Sequence, residues 1–78
     1  MSHTPHELAD DFPEYVEKMR DLKVSDAHFA KLFEAYHEVN RAVHRAETDV
    51  EPTGDEEMET MRRERMRLKD EIYAILTR

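Results

Sequence analysis

The densest cluster of ionisable side chains in this sequence is a run of cations late in the chain. Five of the eight residues from 62 to 69 are basic, although the whole chain has 12 Lys and Arg against 19 Asp and Glu and a formal net charge of −7. Guanidinium groups at this density bind phosphate, so one interpretation is a site for RNA or a phosphate ligand. The basic residues are Arg62, Arg63, Arg65, Arg67 and Lys69.

The other interpretation is that these cations are paired within their own helix. Glu59, Glu64 and Glu71 fall three or four residues from arginines of the run, which is the spacing of ion pairs on a helix surface. No aromatic side chain interrupts the run to stack on a base, and the net acidity opposes non-specific attraction to nucleic acid. We favour a self-paired helix face, with RNA or phosphate-ligand binding through Arg62–Lys69 as the alternative.

Histidines are the second group of candidate ligands. His3, His6 and Asp10 have the spacing of one helical face, but His3 precedes the predicted start of the helix. His37 and His44 are one heptad apart, about 10 Å along a helix, which is too far to share an ion. We predict surface histidines, with neither a metal site nor a cofactor.

Known catalytic motifs are missing from the sequence. The chain has no Cys, and its single Gly, Gly54, cannot build a phosphate-binding loop or a nucleophile elbow. The carboxylates follow the pattern of solvated helix faces. We predict that the protein is not an enzyme and has no catalytic residue.

The elements that position these side chains should form a small all-α protein. With 78 residues the chain has room for one domain, 1–78, and its 38% hydrophobic and 40% charged residues are typical of solvated helices. No segment approaches the roughly 18 apolar residues of a membrane span, and the first residues do not resemble a signal peptide. We expect a cytoplasmic protein that binds no membrane.

A short helical segment is predicted over residues 5–23. Thr4, Pro5 and Glu7 have the pattern of a capping box, and Pro13 should interrupt the segment because proline lacks the amide that a helix requires. The apolar side chains keep a helical spacing across this break. They are Leu8, Phe12, Tyr15, Met19 and Leu22.

Two long helices are predicted next, over residues 26–50 and 55–77, joined by a turn at 51–54 that contains Pro52. Both helices carry apolar side chains in heptad steps of three and four. These are Phe29, Leu32, Tyr36, Val39, Val43, Ala46 and Val50 in the first, and Met58, Met61, Leu68, Ile72 and Ile75 in the second.

Start signals precede both long helices. Ser25 offers an N-cap hydroxyl to the first, with Asp26 in its first turn. Thr53 and Glu56 have the spacing of a capping box for the second.

The short turn predicts that the two long helices pack as an antiparallel, coiled-coil-like hairpin. Matching their heptads about residue 52 pairs apolar residues in every layer except that of Val39 and Arg65. There Arg65 needs an acceptor, which Asn40 or Glu47 could supply. We interpret Arg65 as fixing the register, with ligand binding as the alternative. The layers are Ala46 with Met58, Val43 with Met61, Val39 with Arg65, Tyr36 with Leu68, Leu32 with Ile72, and Phe29 with Ile75.

Extra apolar surface is predicted toward the open end of the hairpin, at Phe33, Met66, Tyr73 and Leu76. The N-terminal segment is tethered at that end and can fold back as a lid, or two hairpins can pair as a four-helix bundle. We favour the lid with dimerisation in addition. The predicted function is a protein–protein interaction or self-associating scaffold module that uses these four residues.

The sequence resembles the YdcH-like family of small bacterial proteins over about residues 20–76. The most specific match is the Leu-Lys-Asp-Glu-Ile-Tyr of residues 68–73, and an Arg-rich segment precedes it. The other matching residues are Phe29, Leu32, Tyr36, Val39, Asn40, Val43 and Glu47.

The resemblance implies a bacterial, cytosolic helical hairpin of unknown function that often self-associates, and it supplies no catalytic residue. It also implies a structural or partner-binding role for a polar cluster, of which every member except Arg62 belongs to the family pattern. The cluster comprises Asn40, Glu47, Arg62, Arg65, Lys69 and Asp70.

Overall fold

All the regular secondary structure in the described part of the chain is helical. The computed structural model describes residues 7–48 and 54–78. Its elements are α1 (Leu8–Asp11), a 3₁₀ turn (Pro13–Tyr15), α2 (Val16–Ser25), α3 (Ala27–Glu47) and α4 (Asp55–Leu76). The predicted all-α fold is confirmed for these residues.

Helices α3 and α4 are the arms of the antiparallel hairpin. Arg62 of α4 contacts Glu47 at the end of α3, and Arg65 of α4 contacts Asn40, which lies seven residues before Glu47 on α3. The positions on α3 fall as those on α4 rise, which is the order of an antiparallel pair. Most of the buried side chains of the two arms lie at predicted heptad positions. These are Phe29, Leu32, Tyr36, Val43 and Ala46 of α3, with Leu68, Ile72 and Ile75 of α4. Asn40 and Leu76 are buried outside the predicted heptad positions, whereas Val39, Met58 and Met61 are only partly buried.

The start of α3 differs from the prediction by one residue. Ser25 ends α2 and donates its hydroxyl to the Asp21 carbonyl at 3.0 Å, a bond that serines inside a helix commonly make. Asp26 has extended backbone angles and accepts from the Phe29 amide at 3.1 Å, so it is the N-cap. The prediction of Ser25 as the N-cap was wrong.

The structure also defines the end of α3 and the start of α4, which lie next to the segment that joins them. Helix α3 stops at Glu47, before the predicted residue 50, and the Thr48 hydroxyl donates to the His44 and Arg45 carbonyls at the helix end. Gly54 is the N-cap of α4. Val50, residues 51–53 of the predicted turn, and the Thr53 cap lie outside the described residues.

The N-terminal segment folds back over the open end of the hairpin. Pro13 ends α1 and begins the 3₁₀ turn, as its missing amide predicts. Leu8 and Met19 are buried in the same core cluster as the hairpin residues, and further apolar side chains pack around them. The predicted lid is therefore present. The packed residues of the lid are Phe12, Tyr15, Val16 and Leu22.

Among the described residues, no helix combines the length and apolarity that spanning a bilayer requires. The Thr4 and Pro5 start signal lies outside the described residues.

Candidate functional site

One side of α4 carries four of the side chains that the sequence singled out. Arg62, Met66, Lys69 and Tyr73 are spaced by four, three and four residues, which places them on a single face of the helix. Two adjoining cavities open along this face. They share Met66 and Lys69 and are otherwise lined by different chemistry.

The first cavity, which we call the basic cavity, has a volume of about 310 Å³. It is lined by Tyr36, Arg62, Arg65, Met66 and Lys69. The second, the aromatic cavity, has a volume of about 230 Å³ and lies toward the C-terminal end of α4. Its lining is Phe12, Met66, Lys69, Asp70 and Tyr73.

The lid builds one wall of the aromatic cavity. Asp11 Oδ2 accepts from Lys69 Nζ at 2.9 Å, and the same ammonium lies 5.7 Å from the centroid of the Phe12 ring. Phe12 in turn stacks on Tyr73 with ring centroids 5.3 Å apart. Phe12 is therefore the contribution of the lid to a cavity whose other lining residues belong to α4.

A second ion pair ties the lid to α3. Glu7 Oε2 lies 2.9 Å from His37 Nδ1, and both side chains are half-buried. His37 was predicted to be an ordinary surface histidine, and its contact with the lid is a difference from that expectation. Together with the Asp11–Lys69 pair, this contact anchors α1 to both arms of the hairpin.

Arg65 takes its acceptor from across the hairpin. Its Nη1 donates to Asn40 Oδ1 at 3.2 Å, and Asn40 is only 1% exposed. Asn40 is one of the two acceptors that the sequence predicted for Arg65. The other, Glu47, accepts instead from Arg62 Nη2 at 2.9 Å.

Tyr36 forms the floor of the basic cavity and is fully buried. Burial raises the pKa of its phenol to about 12, and the charge of Asp11 adds to the rise while that of Arg65 opposes it. The phenol is therefore neutral at physiological pH, and the charge of the cavity comes from Arg62, Arg65 and Lys69.

The remaining arginines of the basic run face away and pair within α4. Arg63 Nη2 donates to Glu59 Oε1 at 2.6 Å, and Arg67 donates to both Glu64 and Glu71 at 2.8 Å. The hydrogen bond from Arg67 lowers the pKa of Glu64, and the same contact raises the pKa of Arg67. This arrangement is the self-paired helix face that we favoured.

The lid covers part of the predicted interaction surface and leaves the rest exposed. Met66 is 60% exposed and Tyr73 is 48% exposed. Leu76 is 1% exposed and belongs to the core, and Lys18 Nζ donates to its carbonyl at 2.7 Å. Leu76 is thus unavailable as an exposed contact because the N-terminal segment covers the end of α4.

Phe33 is half-buried on α3, with Lys23 Nζ 4.4 Å and the His37 ring 4.5 Å from its ring centroid. Of the polar cluster, Asp70 is exposed at the rim of the aromatic cavity. Asn40 with Arg65 and Glu47 with Arg62 form pairs, whereas Lys69 is paired with the lid residue Asp11. Sequence reasoning missed this last pair because 58 residues separate its members and no local spacing signals it.

The described residues contain no group of three or more His, Cys, Asp or Glu side chains that could hold a metal ion. Of the predicted histidine cluster, His3 and His6 lie outside the described residues, and Asp10 is exposed on α1.

The hairpin geometry coincides with a family match. A family model described as a protein of unknown function, DUF465, matches residues 29–76, from the first turn of α3 to the end of α4. The chain belongs to this family. The matched residues do not include α1 and α2, the helices of the lid. No curated protein and no solved structure matches the chain.

Proposed function

We propose that this DUF465 protein is a self-associating interaction module that docks a helix of a second copy on the aromatic cavity. The observation that carries the proposal is the exposure of Met66 and Tyr73 on one face of α4. Large apolar side chains clustered beside a concavity mark interaction sites more often than scattered ones do.

The setting of Tyr73 supports this proposal. Its ring stacks on Phe12, so binding a partner would immobilise a side chain that is already largely held in place. Tyrosine and methionine are both enriched in protein interfaces. Docking on these residues would therefore gain apolar burial at a small entropic cost.

The charges around the aromatic cavity suit a second copy of the chain. Lys69 and Asp70 place one cation and one anion at its rim. A two-fold interface brings the same surface of each copy together, and a rim of mixed sign can be complementary to itself. The sequence predicted such dimerisation in addition to the lid.

The resemblance to the YdcH-like family supports further proposals about the classification and location of this protein. A YdcH-like classification is compatible with the DUF465 match, because most of the residues that carry the resemblance lie within residues 29–76. We propose in addition a bacterial, cytoplasmic protein without catalytic activity.

RNA binding is the weaker candidate. Two of the five cations, Arg63 and Arg67, are already paired with carboxylates of α4, and the lining of the basic cavity offers a small concavity rather than an extended groove. An RNA-binding protein would show a steep loss of affinity with rising salt.

The test is sedimentation analysis of the purified chain over a range of concentrations. We expect a reversible dimer that is weakened about tenfold or more by Met66→Ser combined with Tyr73→Ser. Val24→Ser is the matched control, since Val24 is 89% exposed on α2 and does not line the aromatic cavity. A wild-type chain that stays monomeric up to about 1 mM would contradict the proposal.

A further inference from the structure

We propose that the basic cavity binds the phosphate group of a small phosphorylated molecule. This site is separate from the docking function, although the two cavities share Met66 and Lys69. The proposal rests on which side chains converge there, on the environment of Arg65, and on the size of the cavity.

All the charged side chains that line the basic cavity are cations. Three of its five side chains are cations, and among the described residues none of the side chains that line it is a carboxylate. This is unusual in a chain with a net charge of −7. Arg62, Arg65 and Lys69 lie on one side of α4 at spacings of three and four residues, so their charged groups can converge on one dianion.

Arg65 is the expected anchor of the phosphate. It occupies a polar layer of the hairpin seam, and its acceptor is the neutral amide of Asn40 rather than a carboxylate. Its positive charge is therefore not cancelled by that contact. A guanidinium in a helix seam lowers stability relative to a hydrophobic residue. A role in binding an anion would explain why an arginine occupies this position.

The other two cations have partners that lie beside the cavity. Arg62 pairs with Glu47, and both side chains are substantially exposed. Such pairs are weak in water, so the Arg62 guanidinium can turn toward a dianion at little cost. Lys69 stays paired with Asp11, which offsets its charge, so Arg62 and Arg65 are the cations that remain to bind the dianion.

The size of the cavity limits the ligand. A volume of about 310 Å³ is at the lower end of the range for small-molecule sites. It accommodates a phosphate group with a small organic part, and Met66 and the Tyr36 ring supply apolar contact for that part. A phosphate monoester is mostly a dianion at neutral pH, which matches the two guanidinium groups of Arg62 and Arg65.

The experiment is a calorimetric titration of the full chain with phenyl phosphate and, separately, with inorganic phosphate. We expect saturable binding of phenyl phosphate that weakens about tenfold or more in Arg65→Gln, because a charge-assisted bidentate contact is lost. Arg63→Gln is the matched control: it removes the same charge from the same helix but does not line the cavity. Affinity should also fall below about pH 6, where the monoester becomes a monoanion.

Several outcomes would overturn the proposal. They are no saturable binding by the wild-type chain at millimolar phenyl phosphate, equal weakening in Arg63→Gln and Arg65→Gln, or tighter binding of an RNA oligonucleotide that depends on Arg63 and Arg67. Circular dichroism tests whether Arg65→Gln is folded. If the variant is not folded, Arg62→Gln serves as the second variant, with the same expected loss of affinity.

Tyr73→Ser separates this site from the docking function. Tyr73 lines the aromatic cavity and not the basic one. The variant should lose dimerisation and keep phenyl phosphate binding within about twofold of the wild-type chain. Loss of both together would overturn the separate phosphate site.

Discussion

At the scale of single residues, the polar layer of Arg65 and Asn40 is the feature that sets this hairpin apart from a simple apolar seam. Asn40 is almost fully buried and accepts a hydrogen bond from the half-buried Arg65. Buried polar contacts of this kind add little net stability, but removing one partner leaves the other unsatisfied.

The first prediction concerns this pair. Asn40→Leu alone should lower the free energy of unfolding by about 1–2 kcal/mol, because Arg65 loses its acceptor. Adding Arg65→Met should restore the wild-type value or exceed it, since the layer then becomes apolar. Urea denaturation of the four proteins of the double-mutant cycle measures the coupling, and strictly additive effects would show that the two side chains do not interact.

The second prediction concerns Tyr36 and alkaline pH. Its pKa in the folded protein is raised to about 12 from 10, so the unfolded chain loses the phenolic proton first. The resulting contribution to stability is complete below pH 10 and is lost as the pH rises toward 12.

Urea denaturation between pH 9 and 12 should therefore show a smaller loss of stability in Tyr36→Phe than in the wild-type chain. Tyr73→Phe is the control, because it removes a phenol that is half-exposed on α4 rather than buried. A Tyr36→Phe profile parallel to that of the wild-type chain would contradict the assignment.

At the scale of elements, the sequence predicted the hairpin far better than the lid. Heptad spacing in α3 and α4 predicts the seam directly, because side chains three and four residues apart share one helical face. The contacts of the lid link residues such as Asp11 and Lys69 that are distant in sequence. No periodic pattern encodes such pairs, so their geometry required the structure.

The junction between α2 and α3 illustrates the limit of local signals. Both Ser25 and Asp26 are good N-cap residues, and the choice between them depends on where α2 ends. The Ser25 hydroxyl is engaged by the Asp21 carbonyl, which leaves the cap to Asp26.

The third prediction tests that cap. Asp26→Ala should reduce the free energy of unfolding by about 1 kcal/mol, because the Phe29 amide loses its acceptor. Ser25→Ala is the comparison and should change stability by less than about 0.5 kcal/mol, since Ser25 is exposed. Chemical denaturation of both variants decides between the two caps, and a larger effect at Ser25 would restore the original assignment.

At the scale of the whole molecule, the lid completes the core of the hairpin and adds a wall to a cavity on α4. It buries Leu8 and Met19 against the arms and contributes Phe12 to the aromatic cavity. Of the four apolar residues predicted to contact a partner, the lid leaves Met66 and Tyr73 most exposed. The sequence therefore predicted only part of the candidate site. The α4 side chains could be predicted because they share a helical face, whereas Phe12 of the lid comes from a distant part of the chain.

The central claim is that the aromatic cavity docks a second copy of the chain. The most direct measurement is photo-cross-linking of the purified protein with benzoylphenylalanine at position 73, where it replaces one aromatic side chain with another. The account predicts a covalent dimer with this probe and little dimer with the same probe at position 24, which is exposed on α2. Equal yields at the two positions, or monomer alone at position 73, would contradict it.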